Sequence, residues 1–193
     1  MLHTLISRTL RSWAASSTST RPFSSDFKKS YKKAGGDPYG STKRFPDLHH
    51  RVTAELAGAK IQPSWWFNES GTNDTSIGEH ITHIMGKFKC SNKTCQKPGW
   101  GSKKIAIQIR KFKKHGYDAL VFNQRCKECK SLGVMKITED SYVERLSYRL
   151  KKWSGIKVER PVYEEKKGPE HESHLCEGCR AGRCMERKDD ELD

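Results

Sequence analysis

No stretch of this chain approaches the roughly 18 consecutive apolar residues that a membrane-spanning helix needs, so no such helix is expected. Apolar residue types make up only 34% of the 193 residues, and the mean hydropathy is −0.86. Little can be buried, which leaves room for one modest domain with tails and not for a large enzyme core. No Gly-rich phosphate loop and no Ser/His/Asp arrangement of recognisable spacing is present, and no enzyme is expected.

Acid is missing from the start of the chain. Nothing before Asp26 is acidic, whereas Arg8, Arg11 and Arg21 stand among many Ser and Thr, and Leu2, Leu5, Ile6, Leu10 and Trp13 fall near one helical face. That is the composition of a mitochondrial transit peptide, assigned to residues 1–25, with Arg21-Pro22-Phe23-Ser24 as the processing pattern. A mitochondrial location follows, with the cytoplasm as the alternative if this segment is only a tail. Residues 26–63, rich in Lys, Gly and Pro, are expected to form a flexible linker. The folded domain is assigned to residues 64–185, opened by a core-packing Trp65-Trp66-Phe67 cluster, and residues 186–193 to a charged disordered tail.

What the chain does have is seven cysteines in ordered spacing. Cys90 and Cys95 form a C-x4-C pair, and Cys126 and Cys129 form C-x2-C thirty residues later. Each short loop can turn two sulfurs toward one point, and Zn²⁺ accepts four thiolates tetrahedrally. Cys176, Cys179 and Cys184 supply three more sulfurs. Their fourth partner is His171 or His174; His171 is preferred because its spacing lets the chain loop around the metal. Disulfides would leave one thiol over and require an oxidising compartment. Two zinc ions are the expected cofactors.

Between the cysteines, Lys103 to Arg110 alternates with Ile105, Ile107 and Ile109 on one side, as a half-buried strand does. Tyr117 to Gln124 and Leu132 to Ile137 read as two further strands. Asp140 to Lys152 reads as a helix, with Val143, Leu146, Leu150 and Trp153 on one stripe and Gly155 as its stop. The expected fold is small α+β: a zinc-ribbon-like antiparallel sheet with one packed helix and a second zinc knuckle.

Phe88-Lys89-Cys90 with Cys95, Trp100-Gly101-Ser102, Gln124-Arg125-Cys126-Lys127-Glu128-Cys129, Tyr142-Val143-Glu144-Arg145, and His171 with Leu175-Cys176-Glu177-Gly178-Cys179-Arg180-Ala181-Gly182-Arg183-Cys184 together resemble the triple-CxxC (3CxxC-type) zinc-binding domain. That domain is also found in receptor-transporting proteins and in the carboxyl-terminal domain of zygote arrest proteins. The resemblance spans roughly residues 64–185. It implies zinc ligation by all seven cysteines with His171 in the position of the family histidine. The C-x4-C pair departs from the usual C-x2-C, and receptor escort at a plasma membrane is not implied, since no carboxyl-terminal membrane anchor is seen.

Residues 86–153 hold eighteen Lys/Arg against five Asp/Glu. Cages of four and three thiolates would carry about −2 and −1 with zinc bound, which offsets only part of this excess. The surplus suits RNA or an acidic protein surface, and no small-molecule substrate is expected. Lys103, Lys104, Arg110, Lys111, Lys113 and Lys114 form the candidate nucleic-acid patch, with His115 beside them and Phe112 and Tyr117 interleaved as base-stacking groups. A protein-interaction adapter or client chaperone, as the receptor-transporting resemblance implies, is the alternative.

Overall fold

A computed structural model describes residues 40–69, 76–159 and 170–186, all within one compact unit, Gly36–Asp193. The leader, the first part of the linker and the tail beyond residue 186 lie outside the described residues.

The sheet is built around β4 (Trp100–Phe112). Ile105 to Ile109 are buried consecutively, so the Ile alternation marks only one of two covered faces. β4 pairs antiparallel on one side with β3 (Gly78–Cys90) and on the other with β5 (Gly116–Phe122). β6 (Gly133–Ile137) adds to β3, and the short β1 (Thr42–Lys43) adds to β5, giving the order β1-β5-β4-β3-β6. A two-residue strand, β2 (Trp66–Phe67), pairs parallel with β5. The sheet curls, so that Gly133 N–H donates to the Gln124 carbonyl at 2.9 Å and the end of β5 approaches the start of β6.

One face receives α2 (Glu139–Trp153). Tyr142, Val143, Leu146 and Leu150 are buried against Ile84, Ile105, Ile107 and Ile109. Glu139 and Asp140 in the first turn and Lys151 and Lys152 in the last suit the helix dipole. Gly155, at φ 77°, closes the helix: its N–H reaches the Lys152 carbonyl at 3.1 Å and Ile156 N–H reaches Lys151 at 3.0 Å, the paired bonds of a left-handed glycine stop. The strands and helix expected from periodicity are therefore present, and the architecture is α+β with two knuckles.

The expected linker differs. Within residues 26–63, α1 (His49–Ala57) packs beside α2, with Leu48, Val52 and Leu56 buried in the main core. Arg51 ties it to the start of α2 through Glu139 at 2.8 Å and Asp140 at 2.7 Å. The polar, Gly-rich composition conceals a three-residue apolar stripe at four-residue spacing, and those side chains are enough to dock one face. Trp65 is buried, with its indole N–H donating to Ser154 Oγ at 3.0 Å, whereas Trp66 is 42% exposed and lies across Gly116. A flexible linker would tolerate Leu56→Ala. Burial in the core instead predicts a loss of about 2–4 kcal/mol, read from the urea midpoint of the zinc-loaded protein.

Candidate metal centres

The first cage is assembled by strand ends. Cys90 closes β3, Cys95 sits in the turn toward β4, and Cys126 and Cys129 lie in the turn between β5 and β6. Cys90 Sγ lies 3.3 Å from Cys129 Sγ, and Cys95 Sγ lies 3.8 Å from Cys126 Sγ. With Zn–S bonds of about 2.3 Å, tetrahedral sulfurs stand about 3.8 Å apart, so the spacing fits one zinc. The wide C-x4-C loop is folded by Asn92, whose side-chain oxygen accepts from Thr94 N–H at 3.0 Å and Thr94 hydroxyl at 2.8 Å, an Asx turn that swings Cys95 back. In the C-x2-C loop, Lys130 N–H donates to the Cys126 carbonyl at 2.9 Å and Lys130 takes a left-handed φ of 61°.

The second cage is His171, Cys176, Cys179 and Cys184, whose ligand atoms all lie within 4.8 Å of one another. His171 Nε2 is 3.2 Å from Cys179 Sγ and 3.7 Å from Cys184 Sγ. His174 instead faces Glu172 at 3.7 Å, so His171 completes the set. α3 (Glu177–Arg180) carries Cys179, and Gly178 lets it lie flat on the sheet: a Cβ there would come within 2.5 Å of Ala106 Cβ on β4. Ala106, Phe122, Cys176 and Cys184 form a second small core on the face opposite the helices.

Thiol electrostatics within each cage are divided. Ser131, by side chain and backbone, brings Cys129 down to about 6, whereas desolvation and the Cys129 contact push Cys90 up to about 12. Hydrogen bonds led by that from Cys176 bring Cys184 down to about 3. Desolvation and Cys184 push Cys179 up to about 11, and Cys176 is raised, chiefly by its bond to Cys184. Crowded sulfurs cannot all ionise without a cation; Zn²⁺ supplies the compensating charge.

The candidate nucleic-acid residues do not form one surface. Adjacent residues of a strand point to opposite faces, and Lys103 and Lys113 are about 30 Å apart along β4. Lys104 pairs with Glu186 at 2.8 Å. Arg110 is committed to fully buried Asp118, its Nε donating at 2.8 Å and its Nη2 to the second carboxylate oxygen. The Lys111 ammonium lies 5.9 Å from the centre of the Trp65 ring. Phe112 and Tyr117 are buried and cannot stack on bases. Lys113 and Lys114 are exposed at the turn after β4, beside half-buried His115.

Sequence reasoning passed over the lysines of β3 and β6 and the histidine His83. They stand outside the basic run of β4, and only strand pairing places them.

Two four-ligand Cys/His cages on a curled ribbon define a zinc-ribbon protein. The zinc-ribbon 3CxxC family model, described as a zinc-binding domain, matches residues 83–182, just over half of the chain, and the chain belongs to that family. No curated protein and no solved structure gave a match. Among the described residues no helix is long and apolar enough to cross a membrane.

Two zinc ions per chain are expected by metal analysis, falling to one in His171→Ala and remaining two in His174→Ala. Because Cys90 and Cys179 hold protons at neutral pH and must release them to bind metal, zinc loading should liberate protons. Affinity should then fall as pH is lowered, measured by competition with a chromophoric chelator.

Proposed function

We propose that this is a non-catalytic, zinc-stabilised module that binds RNA through an exposed sheet face beside the first cage. The observation that carries the reading is a set of lysines on three neighbouring strands. Lys87 pairs in register with Lys136 of β6 and Gly101 of β4, and Lys89 pairs with Val134. Lys103 stands next to Gly101 and Ser102 at the register irregularity of the β3–β4 pair. Lys87, Lys89, Lys103 and Lys136 are exposed, and no ion pair or hydrogen bond engages their ammonium groups among the described residues. Lys93 and Lys130 extend the same sign around the cage, while Lys127 there is paired with Glu172 at 2.8 Å.

Phe88 and Trp100 stack on each other at 5.2 Å, and Phe88 belongs to the core on the opposite face. Phosphate attraction is therefore the available force, and base stacking is not. Such binding depends on salt and little on sequence. Neither cage offers the open metal position that catalytic zinc keeps, which supports a binding role. An acidic protein segment is the second reading, favoured by Met85 and Val134, which are 43% and 42% exposed among these lysines. The mitochondrial location proposed from residues 1–25 is tested separately, by import of the full chain into isolated mitochondria with processing near Ser24.

Fluorescence anisotropy with a short RNA of mixed sequence tests the main reading. Replacing Lys87, Lys89 and Lys136 together by Glu should weaken binding at least tenfold, and the slope of log K against log salt should fall by about 0.7 per contact removed. Lys113→Glu with Lys114→Glu should change it little. Unaltered RNA binding by the triple variant, with both zinc ions retained, would sink the proposal. An acidic peptide that binds more tightly than RNA with the same lysine dependence would favour the second reading.

A further inference from the structure

His83 lies on β3, paired in register with Ala106, the residue on which the Gly178 knuckle rests. Its Nε2 is 3.4 Å from Cys184 Sγ, and its ring centre is 6.4 Å from that of His171. It does not belong to the four-ligand cluster, and Cys184 is the cage sulfur it contacts. Around this contact the chain carrying Cys184 is tied to the same sheet face. Arg183 reaches Glu79 at 3.1 Å, Glu79 accepts from Gln108 at 2.7 Å, and Lys104 holds Glu186 at 2.8 Å. The donor strand and the acceptor sulfur are thus held in register by protein contacts on both sides of Cys184.

A thiolate bound to zinc retains negative charge and accepts hydrogen bonds. A ring N–H aimed at it fixes the sulfur's orientation and tempers its charge, as outer partners of metal ligands do. We propose that His83 is a positioning residue of the second metal centre, donating its Nε2–H to the Cys184 thiolate so that β3 holds the knuckle and its metal together. This role is independent of whether the protein binds RNA.

The test uses the reduced full chain loaded with Co²⁺ or Zn²⁺. Cobalt in a four-sulfur cage and in a three-sulfur, one-nitrogen cage absorbs differently, so the two sites are read separately. His83→Phe should lower zinc affinity at the second site by about 10–100-fold. It should also move that site's sulfur-to-cobalt charge-transfer band to lower energy while the first site stays unchanged. His83→Gln, which keeps an N–H donor, should restore most of both. Unchanged affinity and band in His83→Phe would overturn the proposal. So would equal weakening of both sites by Phe and Gln, which would mark a purely structural role. Loss of the nitrogen-ligand signature in His83→Phe would overturn it by making His83 a ligand.

Discussion

Closing two cages of thiols around a cation is the constraint on which this structure depends. Cys90 and Cys129 stand 39 residues apart in sequence yet 3.3 Å apart in space, and between them run the whole of β4 and β5. Without metal, some sulfurs must keep protons that burial and neighbouring thiols hold in place. With metal, all can ionise and the strand ends are locked. Structural zinc contributes roughly 10 kcal/mol or more to folding in small domains, a magnitude that matters where apolar residues are so few. The second cage differs in that it joins a knuckle to a sheet face, where Gly178, Ala106 and Phe122 leave room only for a flat contact.

The double covering of β4 explains where the charge went. A strand with one face toward helices and the other toward a knuckle cannot display its basic residues together. Arg110 is held by buried Asp118, and removing that guanidinium would leave Asp118, among the described residues, with only the longer 3.5 Å contact to Arg44. The arginine therefore belongs to the structure, whatever its contribution to the field. Where the knuckle no longer covers β4, at Gly101 and Lys103, the sheet face is open. There β3 and β6 add lysines with no acidic partner among the described residues.

The ligands were legible because metal chemistry imposes short local spacings: two sulfurs per turn, and a histidine far enough from Cys176 to loop back. β4, β5, β6 and α2 were legible from period alone. β3 was not, since His80, Thr82 and Gly86 share the core-facing side with Ile84 and Phe88, and the alternation is lost. The stripe Leu48, Val52, Leu56 was present in the sequence but lay in a segment whose composition argued for a linker. His83 had no local signal at all, because its contact with Cys184 spans 101 residues and exists only through the pairing of β3 with β4.

The metal and the lysine face are coupled by position. Lys89 immediately precedes Cys90 in β3, and Lys130 immediately follows Cys129, so the first cage lies at the end of the basic face. A zinc ion with four thiolates carries about −2. Six lysines on or around this face, leaving aside Lys127 in its pair with Glu172, exceed that charge about threefold, so the cage softens the field without reversing it. β3 and β6 bring Lys87 and Lys136 into direct cross-strand register, where two like charges oppose pairing. Loss of the metal would remove the lock on the strand ends and so the arrangement of the positive charges. It follows that the field a polyanion would meet is set by the metal as well as by the lysines.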